Sequence, residues 1–561
     1  MVLILLSWFV ALFCFISSGM LFSKIINLKS QDVMIIVFFG VFFQCIFLSI
    51  TAFFTNLGIE VFCANLFFCL VAFVYQKNEF KTVFNKSIAS FKNLSSYTKI
   101  ILLLILLASL YKCSLAPFLI DNESYYIQTI KWINEYGFVK GLANLHIFFA
   151  QTSPLHVLQA GFNFNFLTNN INDINGLIFL VSSWFFVEKM EYQYSENNKF
   201  HWVGLLFVLN VIYFQFIPQP SPDFIIIIVS QIVFYLFIEN NKDANALKSS
   251  IILFLLMVFI KITVAPLGLL LLIWIFIKKR FLSFFVGFGV LILLILIFKN
   301  AIISGYPFYP FQFYSLNFDW TIPENLFLFI TESSKNTGYF EGEIVVNPTL
   351  YQKICAWLHL SGLNRIFNLG ILLLFFLTLF TVTFRTNKLY RILYLSLLIH
   401  FIVLLLTSPQ FRFFLPEFIF LTVLILSTLF NYFKIKFKLF QLLYLLFLFS
   451  SLVLIEYLDF KNISDNKYLQ TKSIFKINNL IVPDSNSKYD YLKFELVKNG
   501  NLYYFSPKEN FFFYGTADGN LPCVNKVQID YLEKYYYIKP QLRTSNISDG
   551  FYSKITKQSD E

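Results

Sequence analysis

Apolar residues run almost without interruption for about twenty positions at several places along the chain. Leu3–Phe22, Val33–Phe54, Phe281–Phe298, Ile371–Phe384, Phe414–Phe430 and Leu439–Tyr457 are the clearest cases. Runs of this length match the ~30 Å hydrocarbon core of a bilayer and predict membrane helices. No basic residue precedes the first run and further runs follow it, so it reads as a span and not as a signal peptide.

The polar stretches between these runs give the expected sidedness. Gln76–Lys99 carries Lys77, Lys81, Lys86, Lys92 and Lys99 against the single acid Glu79. Lys278-Lys279-Arg280, then Arg385, Lys388 and Arg391, then Lys434, Lys436 and Lys438 form three further basic loops. Basic loops mark the cytoplasmic side. Keeping all four on one side requires Ile251–Ile277 to cross and return, although 27 residues are short for two spans of about 20 each. A hairpin broken around Lys261 and Pro266 meets that requirement, because proline ends a helix and frees backbone groups. The alternation then predicts about 13 membrane segments. It places the loops 116–173, 299–366 and 407–413 and the tail on the external face.

The tail differs in kind. Residues 461–561 hold 14 Lys and Arg and 11 Asp and Glu, against 29 and 21 in the preceding 460 residues, which is more than twice the charge density. Alternation at Tyr489–Phe494 and Asn501–Phe505 around an Asn499-Gly500 turn predicts strands. The expected architecture is an all-α polytopic membrane domain (1–457) followed by a small extracytoplasmic α/β or β-rich domain (458–561).

Composition agrees: 57% of residues are hydrophobic and 13% charged, about half the charge of a soluble fold. The net charge of +11 is scattered as loop anchors and is no nucleic-acid signal. Seven dispersed cysteines without a CxxC pair argue against zinc or redox chemistry.

Charge at membrane depth costs at least ~2.5 kcal/mol per residue and calls for a reason. Lys261 lies in "LMVFIKITVAPL", Asp223 in "PQPSPDFIIII" and Arg412 in "LLTSPQFRFFLPE", all near the expected external boundary. Asp223 could cap its helix, and Arg412 could snorkel or pair with Glu417. Together the three read as a polar site facing a cavity. The stretch "LIDNESYYIQTIKWINEYGFVKGLANLH" follows a span at the same level. Tyr126, Ile127, Ile130, Ile133 and Phe138 fall on one helical face and leave Lys131 and Glu135 wet, the pattern of a helix lying along the interface. Asp121 and Glu123 precede its first turn. His146 and His156 lack a well-spaced third ligand, so no protein-built metal site is expected.

These stretches, with "SGYPFYP", "FDWTIPE", and "LPC" followed by "LRTSNISDGF", resemble a bacterial family of multi-pass proteins with the architecture of GT-C glycosyltransferases. The resemblance runs from Asp121 to Phe551. It implies an enzyme of the bacterial cytoplasmic (inner) membrane that moves a sugar from a polyprenyl-phosphate carrier to a saccharide, lipid or protein acceptor on the external face. It implies Asp121 as the base, with Glu123, Gln128, Lys131, His146, Asp223, Lys261, Tyr306, Asp319 and Arg412 contacting substrate. Lys261 and Arg412 would hold the departing lipid phosphate. Asp223 would orient one of them or share a divalent cation with Glu123. The chain departs from the family pattern at Tyr126, where a histidine is expected, near Phe148, where a basic residue is expected, and at Thr516, where a cysteine would partner Cys523. A transporter or flippase for lipid-linked saccharides, or a polysaccharide polymerase, is the competing expectation, since broken helices and intramembrane charges also suit transporters.

Overall fold

In a computed structural model, residues 1–28, 32–239, 243–277, 279–341, 345, 348–457, 473–508 and 511–556 are described. The chain is about 70% helical. The helices of eight or more residues are α1 (Val2–Ile25), α2 (Val33–Thr51), α3 (Ile59–Tyr75), α4 (Lys77–Asn93), α5 (Ser96–Cys113), α6 (Ile127–Tyr136), α7 (Pro154–Gly161) and α8 (Ile174–Asn197). Then come α9 (Pro222–Glu239), α10 (Ala244–Ile260), α11 (Leu269–Ile277), α12 (Leu282–Ser304), α13 (Glu324–Phe340), α14 (Leu350–His359) and α15 (Gly362–Thr378). The last are α16 (Lys388–Thr407), α17 (Leu415–Tyr432), α18 (Phe437–Tyr457) and α19 (Lys526–Tyr536).

Among the described residues, seven helices are long and apolar enough to cross a membrane: α1, α2, α5, α9, α12, α16 and α17. The number is up to nine if two bent pairs each count as one span, α3 with α4 (86°) and α14 with α15 (112°). The protein is a multi-pass helical membrane protein. Two expected spans take other forms. Residues Trp202–Leu209 wind as a 3-10 helix and continue only briefly as α-helix. The segment around Lys261 is longer than the apolar run implied, because α10 begins already at Ala244. Lys261 leaves the helix in an extended conformation, and Ile262–Gly268, containing Pro266, continues as 3-10 helix into α11. The break falls where the sequence placed it.

α1 and α2 form the tightest crossing. A Cβ on Gly40 would overlap the Phe15 carbonyl oxygen, and one on Gly19 would overlap the Ile36 carbonyl oxygen. Small residues allow this backbone approach, which is how helices associate where lipid supplies no hydrophobic drive between them.

The tail has two antiparallel hairpins, β1 (Phe494–Asn499) with β2 (Leu502–Pro507), and β3 (Ile538–Leu542) with β4 (Phe551–Ile555). The first strand begins at Phe494, where the expected strand ended. Tyr489 and Leu492 instead pack with Phe511 and Ala517 in a small cluster of their own. The expected boundary at residue 458 lies outside the described residues. From residue 473 on, the tail does not keep its core to itself. Tyr126, Trp132 and Leu145 of the first loop, Ile303 and Leu326 around the second, and Leu502, Tyr504, Ile529 and Phe551 of the tail share one hydrophobic cluster, so that the two loops and the tail form a single loop head. Gly141 and Gly550, both at positive φ, let the first loop and β4 touch backbone to backbone, with Phe551 N–H donating to the Lys140 carbonyl at 2.9 Å.

The crossing gives a direct check. Gly40→Leu should cost about 1–3 kcal/mol or more through overpacking, read as a lower thermal unfolding midpoint in detergent. Gly287→Ala, where a Cβ meets nothing within 4 Å, should leave the midpoint unchanged or raise it.

Candidate functional site

Four charged side chains from distant parts of the chain meet at the end of the bundle that carries the loop head. Asp121 follows α5 and opens the π-helical turn Asn122–Tyr126. Asp223 lies in the first turn of α9, next to Pro222, whose missing N–H is harmless at a helix start. Lys261 caps α10, and Arg412 lies in the single 3-10 turn Phe411–Phe413 before α17. Arg412 is ion-paired with Asp121 and lies 3.7 Å from Asp223. Lys261 is ion-paired with Asp223, with its ammonium 3.6 Å from the centre of the Phe413 ring. Tyr126 donates to Asp121 at 3.4 Å.

Each segment is pinned locally. Asn175 of α8 donates to the Gln219 and Ser221 carbonyls at 2.8 and 2.9 Å, fixing the loop before Asp223. Gln219 accepts from Leu119 N–H at 3.2 Å, tying that loop to the approach to Asp121. Ser153 donates to the Ile260 carbonyl at 3.0 Å, which satisfies an acceptor freed by the break at Lys261. Trp357 donates to the Pro409 carbonyl at 2.8 Å and Ser408 to the Ser334 carbonyl at 2.9 Å, holding the Arg412 segment from α14 and α13. The cluster is partly buried: Asp223 is 5% exposed, and Lys261, Arg412 and Asp121 are 22–24% exposed. Two anions balance two cations, and three of the four side chains keep part of their surface exposed.

The other expected site residues lie away from the cluster, all but Tyr306 against the tail. Glu123 is fully buried; its carboxylate accepts from Ser487 at 2.5 Å and Lys488 N–H at 3.1 Å, and its carbonyl from Thr516 and Ala517 N–H. Gln128 donates to the Ala517 and Gly519 carbonyls at 3.2 and 2.7 Å. Lys131 pairs with Asp518 at 2.5 Å. His146 contacts the Tyr514 carbonyl at 3.2 Å. Asp319 forms an exposed pair with Arg543, and Tyr306 packs on Phe327. The helix expected to lie open on the interface is therefore covered: α6 is buried along most of its length, between the tail and the α2–α3 turn. Asp223 and Glu123 are engaged by different partners, so they do not fit a shared divalent cation. Among the described residues no group of three or more His, Cys, Asp or Glu is placed to hold a metal.

Sequence reasoning missed two buried groups. His400 of α16 is hydrogen-bonded to Glu417 of α17 and contacts the Thr263 carbonyl at 3.2 Å. Glu417 is thus engaged by His400, and Arg412 pairs with aspartates instead. Lys299, near the end of α12, donates to the Thr152 carbonyl at 2.5 Å. Both had a signal, an ionisable residue inside or bordering an apolar run.

Two residues beyond Asp121 and turned to the tail, the Glu123 carboxyl is pushed up to about 7 by burial, opposed by hydrogen bonds from Ser487 and Lys488. Such an acid holds its proton longer when folded than when unfolded. Its stabilisation is complete below the unfolded value of 4.5 and is lost as pH rises through about 7. The tail should therefore dock more firmly at about pH 5 than at about pH 8. Limited proteolysis of the tail across that range should show the trend in wild type, and Glu123→Gln should flatten it.

No curated protein and no solved structure matches the chain. A family model described as "Domain of unknown function (DUF8201)" matches residues 1–420, which takes in Asp121, Asp223, Lys261 and Arg412 and stops inside α17. With about three quarters of its length matched, the chain belongs to the DUF8201 family.

Proposed function

We propose that the protein is a GT-C-like glycosyltransferase of a bacterial inner membrane, using a polyprenyl-phosphate-linked sugar and a saccharide, lipid or protein acceptor on the external face. In this reading about 13 segments cross the bilayer, and the tail is extracytoplasmic. The observation that carries it is the convergence of Asp121, Asp223, Lys261 and Arg412 beneath the loop head.

The chemistry follows from the charge balance. In glycosyl transfer the acceptor oxygen bonds to the anomeric carbon as the bond from that carbon to the phosphate oxygen breaks. The acceptor proton needs a base, and the electron pair leaves on the phosphate. Asp121 is the more exposed carboxylate of the two in the cluster, and in the structure Arg412 and Tyr126 occupy it. An arriving phosphate competes for the same guanidinium. Arg412 suits that exchange because its planar fork serves carboxylate and phosphate alike, with Lys261 beside it as a point charge. Donor binding thus draws Arg412 from Asp121 and releases the base when it is needed. Asp223 keeps Lys261 oriented meanwhile.

Incubating the purified protein with polyprenyl-phosphate sugars should release lipid phosphate in wild type. Asp121→Asn should lower release at least a hundredfold while still binding the donor, and Arg412→Lys should weaken donor binding. Wild-type protein that moves the intact lipid-linked sugar across vesicles without cleaving it would instead support the transporter reading, and no turnover with any polyprenyl-phosphate sugar would overturn the enzyme.

A further inference from the structure

At the opposite end of the bundle α4 turns 86° away from α3 and runs sideways. At 3.6 residues per turn its positions divide into three arcs. Phe80, Val83, Ser87 and Ser90 share one arc and are the half-buried positions of the helix. The neighbouring arc holds the exposed apolar residues Phe84, Ile88 and Phe91. Lys77, Lys81 and Lys92 lie within about 100° of the centre of that apolar stripe, whereas Glu79 falls on the far side, ion-paired with Lys24 at 3.3 Å.

The two helices that α4 joins expose apolar residues as well, Val71 and Val74 on α3 and Leu103 and Leu107 on α5. A soluble partner on α4 would leave the exposed apolar residues of α3 and α5 bare, while a bilayer covers all of them. Helices of this kind lie in the membrane plane with the apolar stripe at the acyl boundary and lysines extended to the headgroups. Three lysines flanking one apolar stripe complement the negative charge of an anionic leaflet.

We infer that α4 is an interfacial anchor that binds anionic phospholipid headgroups through Lys77, Lys81 and Lys92, with Phe84, Ile88 and Phe91 set into the acyl boundary. The surface is independent of the reaction assigned to the Asp121 cluster.

The test uses the full chain in detergent, titrated with phosphatidylglycerol or with phosphatidylcholine of the same acyl chains. Phosphatidylglycerol should raise the thermal unfolding midpoint more than phosphatidylcholine. The difference should vanish in K77Q/K81Q/K92Q and persist in K388Q/K434Q, which removes two lysines from other basic loops. In wild type alone the difference should shrink as salt rises from about 0.15 to about 1 M, because the Debye length falls from about 8 to 3 Å. Equal shifts with both lipids, a difference that survives the triple substitution, one lost equally in the control, or one indifferent to salt would each overturn the assignment.

Discussion

A charged side chain at the edge of hydrocarbon has few stable arrangements, and the most available is an opposite charge at the same depth. Four segments meet that condition together. Arg412 bridges Asp121 and Asp223, and Lys261 completes the set on Asp223. Their positions are separated by 102, 38 and 151 residues along the chain, so the pairing draws together the exit of α5, the start of α9, the end of α10 and the entry to α17. Much of the surrounding hydrogen bonding serves to present these four groups. Asn175 and Gln219 shape the loop before Asp223, Ser153 covers the break at Lys261, and Trp357 holds the turn before Arg412.

The head above the cluster obeys a second constraint, burial of a polar first loop. Glu123, Gln128, Lys131 and His146 would be costly if covered without partners. The tail provides those partners largely from backbone, through the carbonyls of Tyr514, Ala517 and Gly519 and the N–H groups of Lys488, Thr516 and Ala517. The hydrophobic cluster shared among the first loop, the second loop and β4 then makes the head one body. A charged loop that a sequence reader takes for a wet surface is thereby an internal seam.

This difference shows what was legible and why. Lys261, Asp223 and Arg412 stood out because an isolated charge within or beside an apolar run is costly in any fold, and the three converge. The break at Lys261 was visible through Pro266. Glu123 and Gln128 belong to a polar stretch where nothing local distinguishes a substrate contact from a contact with residues 480–520, some 360 positions away. Glu417 shows the same limit. Its five-residue distance from Arg412 suggested a local pair, but His400 on the neighbouring helix reaches it, and only the packing of α16 on α17 reveals that. The strand near Tyr489 was misplaced because alternating aromatics can fill a small cluster as readily as they line a sheet.

The seam also bears on how the cluster would work under the proposed reading. Asp121 is separated from Glu123 by a single residue, yet one carboxylate faces the cations and the other is held by Ser487 of the tail. The π-helical turn Asn122–Tyr126 makes the division: its wider winding starts directly after Asp121, fixes Glu123 inward and returns Tyr126 to Asp121. Anything that loosens the tail would shift Glu123, then the turn, then the carboxylate and phenol that meet at Arg412. The tail therefore influences the site through backbone geometry without contributing a charge to it. Since α6, packed on α7, continues from the far end of that turn, the displacement falls on Asp121, the more exposed carboxylate of the cluster and the one with the freedom to exchange Arg412 for another anion.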